Sequence, residues 1–161
     1  MKEKNNSKKW FEKKDFSKAK NEIEPLPEFY KYKEKAETLE KKFVNIFKNN
    51  SFIMYGAGGG GLFFLKAFCE KYNLYPKVIL DKEGEKHPNK DFFEVHNLKI
   101  SKPENETFKR FPQNIPIVIS IAKKELQEEI KNNLQLLGFK NLYLISEDIF
   151  DYWYLKLWDA I

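Results

Sequence analysis

Ser51-Phe52-Ile53-Met54-Tyr55-Gly56-Ala57-Gly58-Gly59-Gly60-Gly61 is the stretch on which the reading of this chain turns. Five glycines fall within six positions, directly after a short apolar segment and directly before Leu62-Phe63-Phe64-Leu65, where an apolar helix begins. Gly56, Gly58 and Gly61 fill a GxGxxG spacing, and Asp81 ends the next apolar run 20 residues beyond Gly61. A strand, a glycine turn and a helix in that order make a phosphate cradle. The first glycine permits the tight turn, and the second lets a pyrophosphate approach the backbone. The third lets the helix pack closely on the strand, with its N-terminal amides and dipole facing the anion. An acidic residue at the tip of the second strand accepts hydrogen bonds from a ribose diol. The competing reading is a glycine turn kept for packing alone.

Working outward, strands and helices alternate, which is the mark of an α/β domain with a parallel sheet. Strand one covers about 52–55 and its helix about 60–73, and strand two covers 77–80. A long polar loop follows, with a short edge element near Leu98–Ile100 and a short helix at 103–111. Pro116–Ala122 is nearly all apolar, as a central parallel strand should be. The helix after it turns Leu126, Ile130, Leu134 and Leu137 inward and ends at Gly138. Residues 141–145 form the last strand, and Ser146 caps a final helix whose first turn carries Glu147 and Asp148. The expected fold is α/β, a Rossmann-like doubly wound, mostly parallel sheet of four to five strands. An N-terminal helix and an aromatic C-terminal helix are added to it.

In a chain of 161 residues this is one domain, spanning 25–161, behind a basic tail at 1–24. Within it, 25–50 is the N-terminal helix, 51–146 the nucleotide-binding core and 147–161 the C-terminal helix. The net charge of +5 sits in residues 1–20, which hold eight lysines against Glu3, Glu12 and Asp15. The globular part is therefore neutral overall, which argues against a nucleic-acid partner. The tail composition, with Trp10, Phe11 and Phe16, is that of a solvated arm, with docking of its aromatics on a partner or an anionic membrane surface as the alternative. No run reaches the roughly 18 apolar residues of a membrane span, and the N-terminus lacks the apolar core of a secretory signal. The single Cys69 forms no internal disulfide or metal set, so a cytoplasmic protein is expected.

Two apolar stripes flank the core. Phe29, Tyr32, Ala36, Leu39, Phe43 and Phe47 recur at helical spacing, and Phe150, Trp153, Tyr154, Leu157, Trp158 and Ile161 form a second stripe. Tyr152 and Leu155 fall on other faces of that last helix. Either the stripes cover each other within one chain, or the C-terminal helix meets a second copy or a partner enzyme.

The order of features from 52 to about 150 resembles the small Rossmann-like nucleotide-sugar-binding domains of bacterial surface-glycan enzymes. These are found as the N-terminal domain of sugar O- and N-acyltransferases and in related polysaccharide-biosynthesis proteins. The matching pieces are FIMYGAGGGG, KVILDK, LKISKPEN and IVISIAKKELQEEIKNNLQLLGFKNLYLI, about 100 of the 161 residues. The resemblance implies a uridine-diphosphate sugar held by Gly56, Ala57, Gly58, Gly59, Gly60, Asp81 and Lys82, with Ser120 and Ala122 bordering the same crevice. The chain departs from the acyltransferases in having no hexapeptide-repeat β-helix, where their catalytic histidine and acetyl-CoA site lie. Acetyl transfer by these residues is therefore not implied.

No catalytic set is legible. His87 and His96 fall in the polar loop and read as structural or solvated. A GxSxG elbow, a Cys–His pairing, zinc spacing and a P-loop are all missing. A strand-order reversal between strands one and four would put a crevice between Gly56–Gly60 and Ser120–Lys124, with Lys82, Lys123 and Lys124 as the nearest cations. A methyltransferase is disfavoured because strand one lacks the acid before its glycines, and a complete dehydrogenase because no substrate domain remains. Three readings stand. The first is a nucleotide- or nucleotide-sugar-binding component of surface-glycan synthesis, and the second a small NAD(P)-binding protein or oxidoreductase domain. The third is an interaction module that binds no ligand. Whether any reaction is catalysed stays open.

Overall fold

The computed structural model describes residues 27–159, with side chains placed from 31 to 157. The basic tail, with Trp10, Phe11 and Phe16, lies outside the described residues, as do the side chains of Phe29, Trp158 and Ile161. Helix α1 runs Pro27–Phe47 and leads into strand β1, Ile53–Tyr55. Helix α2 starts at Gly59–Phe64, passes through a π-helical stretch Leu65–Cys69 and ends at Glu70–Tyr72. Strand β2 is Val78–Leu80, helix α3 Lys90–Glu94, strand β3 Ile100–Ser101 and helix α4 Asn105–Phe108. Strand β4, Ile117–Ile119, is followed by helix α5, Lys124–Leu136. Strand β5, Leu142–Leu144, and helix α6, Glu147–Asp159, complete the order.

The five strands form one sheet in the order β3-β2-β1-β4-β5, and every pairing is parallel. This is the doubly wound Rossmann-like arrangement expected, and the sheet is wholly rather than mostly parallel. Tyr55 pairs with Leu80 on one side and with Ile119 on the other, so all three strands stop at one level. The order reverses between β1 and β4, and that switch point lies at their carboxyl ends.

The sheet alternates as the pleat requires. Met54, Ile79 and Val118 face one layer, built from α1, α2 and α6. Ile53, Leu80, Ile117 and Ile119 face the other, closed by Ile130 and Leu134 of α5. The first layer is largely aromatic. Phe47 stacks on Phe52 at 4.0 Å, and Phe43 meets Phe64, Phe68 and Tyr143 edge-on at 5.8–6.0 Å. Contacts of this kind add roughly 0.5–1.5 kcal/mol each beyond the area they bury.

One carboxylate ties this layer together. Glu40 of α1 is buried and accepts from Tyr72 Oη at 2.8 Å, Lys71 Nζ at 3.1 Å and Trp153 Nε1 at 3.3 Å. The stripes of α1 and α6 thus meet within one chain. Lys35 Nζ joins the same helices at the surface, 2.7 Å from Asp148, and holds that carboxyl below its ordinary range.

Three local expectations are corrected. On α5 the inward side chains are Gln127, Ile130 and Leu134, whereas Leu126 and Leu137 are 40% and 41% exposed. Gln127 Nε2 donates to Ile121 O and Ile145 O at 2.6 Å each, satisfying carbonyls just past β4 and β5 that would otherwise lie buried without a donor. On α6, Tyr152 is buried beside Phe150 and Trp153, while Tyr154 and Leu157 are half-buried, so the inward face is rotated from the one expected. The polar segment after β2 is a folded crossover. It holds a 3₁₀ turn at Gly84–Lys86 and helix α3, whose Phe93 reaches the core.

Candidate functional site

The glycine turn occupies the switch point. Gly56 leaves β1 at φ +114°, a conformation side chains rarely adopt, and its amide donates to Leu80 O at 2.8 Å. A Cβ there would lie 2.7 Å from Ile121 Cγ1 and 2.9 Å from Ser120 O. At Gly60 it would lie 2.5 Å from Ser120 O, and at Gly61 it would come within van der Waals overlap of Gly56 O. These three glycines are required by the protein's own backbone.

Gly58 and Gly59 are different. A Cβ at either position meets no atom within 4 Å. Gly59 is exposed, Gly58 half-buried at the N-cap of α2. Among the described residues no packing calls for glycine at these two positions, although alanine is the better helix former. The first amide of α2 to find its acceptor is Leu62 N, on Gly58 O at 3.0 Å. The amides of Gly59, Gly60 and Gly61 precede it in the turn where a helix leaves its donors without backbone partners.

Asp81 follows β2, yet its carboxylate serves the loop. Oδ2 accepts the Ala57 amide at 3.0 Å and Oδ1 accepts the Glu83 amide at 3.2 Å. The other side of Ala57 is gripped by Asn89, whose Nδ2 donates to Ala57 O at 2.8 Å. Asn89 is buried, and its own amide donates to His87 Nδ1 at 3.0 Å. That acceptor role leaves the proton of a neutral His87 on Nε2, which lies 3.6 Å from Asp81 Oδ2, too long for a hydrogen bond. His87 is therefore a buried part of the loop's support, the structural rather than the solvated of the two roles expected for it. Among the described residues Asn89 Oδ1 finds no donor.

The sequence-derived candidates thus divide in two. Gly56, Ala57, Gly60, Asp81 and Ser120 build the turn. The Ser120 hydroxyl lies 3.3 Å from both Tyr55 O and Gly56 O and is buried, so it points back into the strand ends. Gly58, Gly59, Lys82 and Ala122 remain toward solvent, with Lys123 and Lys124 exposed on the far rim. Sequence reasoning missed Asn89, because a polar residue in a polar segment carries no signal until Ala57 is set beside it. It also missed Tyr55, whose hydroxyl is pushed up by burial and by the nearby Asp81 and Glu129 charges.

His96 lies apart from this site, its Nε2 2.9 Å from Glu70 Oε2 and its ring stacked on Tyr75. Among the described residues no group of three His, Cys, Asp or Glu side chains is placed to hold a metal ion. No helix among them is long and apolar enough to cross a membrane. Comparison with known protein families, curated proteins and solved structures finds no match to this chain.

Proposed function

We propose that this chain binds a nucleotide or nucleotide-sugar across the crevice between β1 and β4, with the diphosphate over Gly58 and Gly59. The observation that carries the reading is the division of the glycines. Three are needed by the fold, and the two that are not stand open at the helix N-terminus, where a phosphate would approach the free amides. The place of the protein as an accessory component of surface-glycan synthesis rests on its resemblance to the sugar acyltransferase domains. NAD is the weaker ligand. Each oxygen of Asp81 accepts one backbone amide and keeps a lone pair for a ribose hydroxyl, which both ligand classes carry, so the preference for a nucleotide-sugar rests on the same resemblance.

Thermal melting with uridine-diphosphate sugars, NAD and S-adenosylmethionine, each tested separately, decides between these. A ligand at 100 times its dissociation constant stabilises the fold by about 2.7 kcal/mol, a shift of several degrees. A rise with uridine-diphosphate sugars alone is the expected result. A rise with NAD alone would move the chain to the oxidoreductase class, and no rise with any of the three would leave the interaction-module reading standing.

A further inference from the structure

We propose that His87 and Asn89 form a proton-operated latch on the glycine turn, closed while the imidazole is neutral and released when a solvent proton reaches Nδ1. Ala57 is held from two sides, and both arms lead to the His87 ring. Asp81 Oδ2 accepts the Ala57 amide at 3.0 Å and lies 3.6 Å from His87 Nε2. Asn89 Nδ2 donates to Ala57 O at 2.8 Å, and the Asn89 amide donates to His87 Nδ1 at 3.0 Å. Both residues are buried, His87 at 8% exposure and Asn89 at 3%. The closed arrangement leaves one atom over, since Asn89 Oδ1 finds no donor among the described residues. A buried acceptor without a donor calls for an explanation. A proton on His87 Nδ1, two residues back along the chain, would be such a donor.

An imidazolium donates from both nitrogens and accepts at neither. Once Nδ1 carries a proton it faces the Asn89 amide, donor against donor, and that bond is lost. Rotation of Asn89 gives Oδ1 to the new Nδ1–H and takes Nδ2 away from Ala57 O. The charged Nε2–H meanwhile draws on Asp81 Oδ2, the oxygen that holds the Ala57 amide. Both arms then turn from Ala57 toward His87, and the amides of Gly59, Gly60 and Gly61 lose the support that aims them. Among charged groups, Asp81 faces the ring from the end of β2. Residues 56–65, the turn and the start of α2, carry none, and Lys102 beyond β3 lies against Gly84. On the ring's own segment Glu83, Glu85 and Lys86 are exposed, and Lys90 of α3 pairs with Glu94 at 3.2 Å. A positive charge beside a phosphate site ordinarily tightens anion binding. The latch reverses that sign, so the neutral ring goes with the binding-competent turn. This consequence rests on the reading of the crevice as a diphosphate site, whereas the latch itself does not.

The test is a titration of the isotope-labelled full chain by nuclear magnetic resonance between about pH 8 and 5.5, the interval in which histidine ordinarily changes charge. At the alkaline end the His87 proton should sit on Nε2. On acidification the Ala57 and Asn89 amide shifts should move with the midpoint of the His87 ring and not with that of His96. His87→Asn places a non-titrating acceptor where Nδ1 stands and should abolish the movement, while His96→Gln should leave it. The proposal is overturned if His87 stays neutral to the acid end, if its proton sits on Nδ1 at the alkaline end, or if the two amides ignore its midpoint. Should His87→Asn fail to fold, the match of midpoints in the wild-type chain decides. Coupling to ligand is read with uridine-diphosphate glucose, whose charge is constant over this interval. Its affinity should fall at least about fivefold from the alkaline to the acid end in wild type and stay level in His87→Asn. Unchanged or tighter binding at the acid end overturns the coupling. Absence of binding at both ends strikes the ligand reading instead, and the two amides still decide the latch.

Discussion

Alanine placed in turn at Gly58, Gly59, Gly60 and Gly61 separates what the fold needs from what a ligand needs. At Gly61 the new methyl would overlap Gly56 O, and at Gly60 it would lie 2.5 Å from Ser120 O. Both neighbours are backbone in a clamped turn, so neither yields as a flexible side chain would. Overpacking of this kind costs about 1–3 kcal/mol, and the upper half applies here. For a domain of this size that is a fall of about 5–10 °C in melting temperature. At Gly58 the methyl meets nothing. The loss of a better N-cap and the gain from a stiffer unfolded chain nearly cancel, which leaves a change within about 1 kcal/mol. At Gly59, in the first turn, alanine raises stability by up to about 1 kcal/mol. Calorimetric titration with the ligand found by melting should then show the opposite ranking, with affinity lost at least about tenfold at Gly58 and Gly59, where a methyl displaces phosphate from the amides. Wild-type affinity in Gly58→Ala and Gly59→Ala would refute the assignment of the open glycines to ligand. A loss at Gly58 equal to that at Gly61 would refute the geometry itself.

Three further outcomes are expected. Glu40→Ala strips the acceptor from Trp153 Nε1 and Tyr72 Oη, and should destabilise the domain by about 3 kcal/mol, or about 10 °C in a melting scan, with Glu40→Gln losing less. Cys69 is buried and its thiol is pushed well up by that burial, with Glu70 adding to the shift. Its contribution is complete below the unfolded thiol's value near 8.5 and is lost as pH rises. Denaturant titrations between about pH 8.5 and 9.5 should show stability falling by up to about 1.4 kcal/mol per pH unit, a slope that Cys69→Ala removes. Asn89→Ala frees Ala57 O, and should cost about 1–3 kcal/mol and speed hydrogen exchange at the Ala57 amide ahead of the strands; unchanged protection there would show that the clamp is not formed.

The strand order was legible because the apolar runs are short, nearly continuous and separated by recognisable helices. Ile117-Val118-Ile119 could hardly be anything but a central strand covered on both faces. What escaped were the places where a polar side chain takes a core position to satisfy a distant carbonyl. Gln127 displaced Leu126 and Leu137 from the inner face of α5 for this reason, and periodicity alone ranks a leucine above a glutamine. The glycine turn was legible as a unit, but its division was not. Whether Gly60 or Gly58 serves the fold depends on where Ser120 O falls, and that is decided only when β4 docks beside β1. Asn89 was hidden in the same way, since its partner Ala57 lies in another loop, and His87 is held there only through the Asn89 amide.

The Glu40 junction sets the order in which this chain can be completed during synthesis. Its partners lie on α2 and on α6, and Trp153 is 113 residues further along than Glu40. A ribosome adding roughly 5–20 residues each second needs about 6–20 s to cover that distance. Through that interval α1 has emerged with an aromatic stripe and a carboxylate awaiting donors, while the helix that covers them does not yet exist. Helix α2 arrives first and supplies Tyr72 and Lys71, so a partial layer forms early and is sealed late by Trp153. The nascent chain therefore carries this uncovered aromatic face until α6 emerges, and a chaperone would find it there.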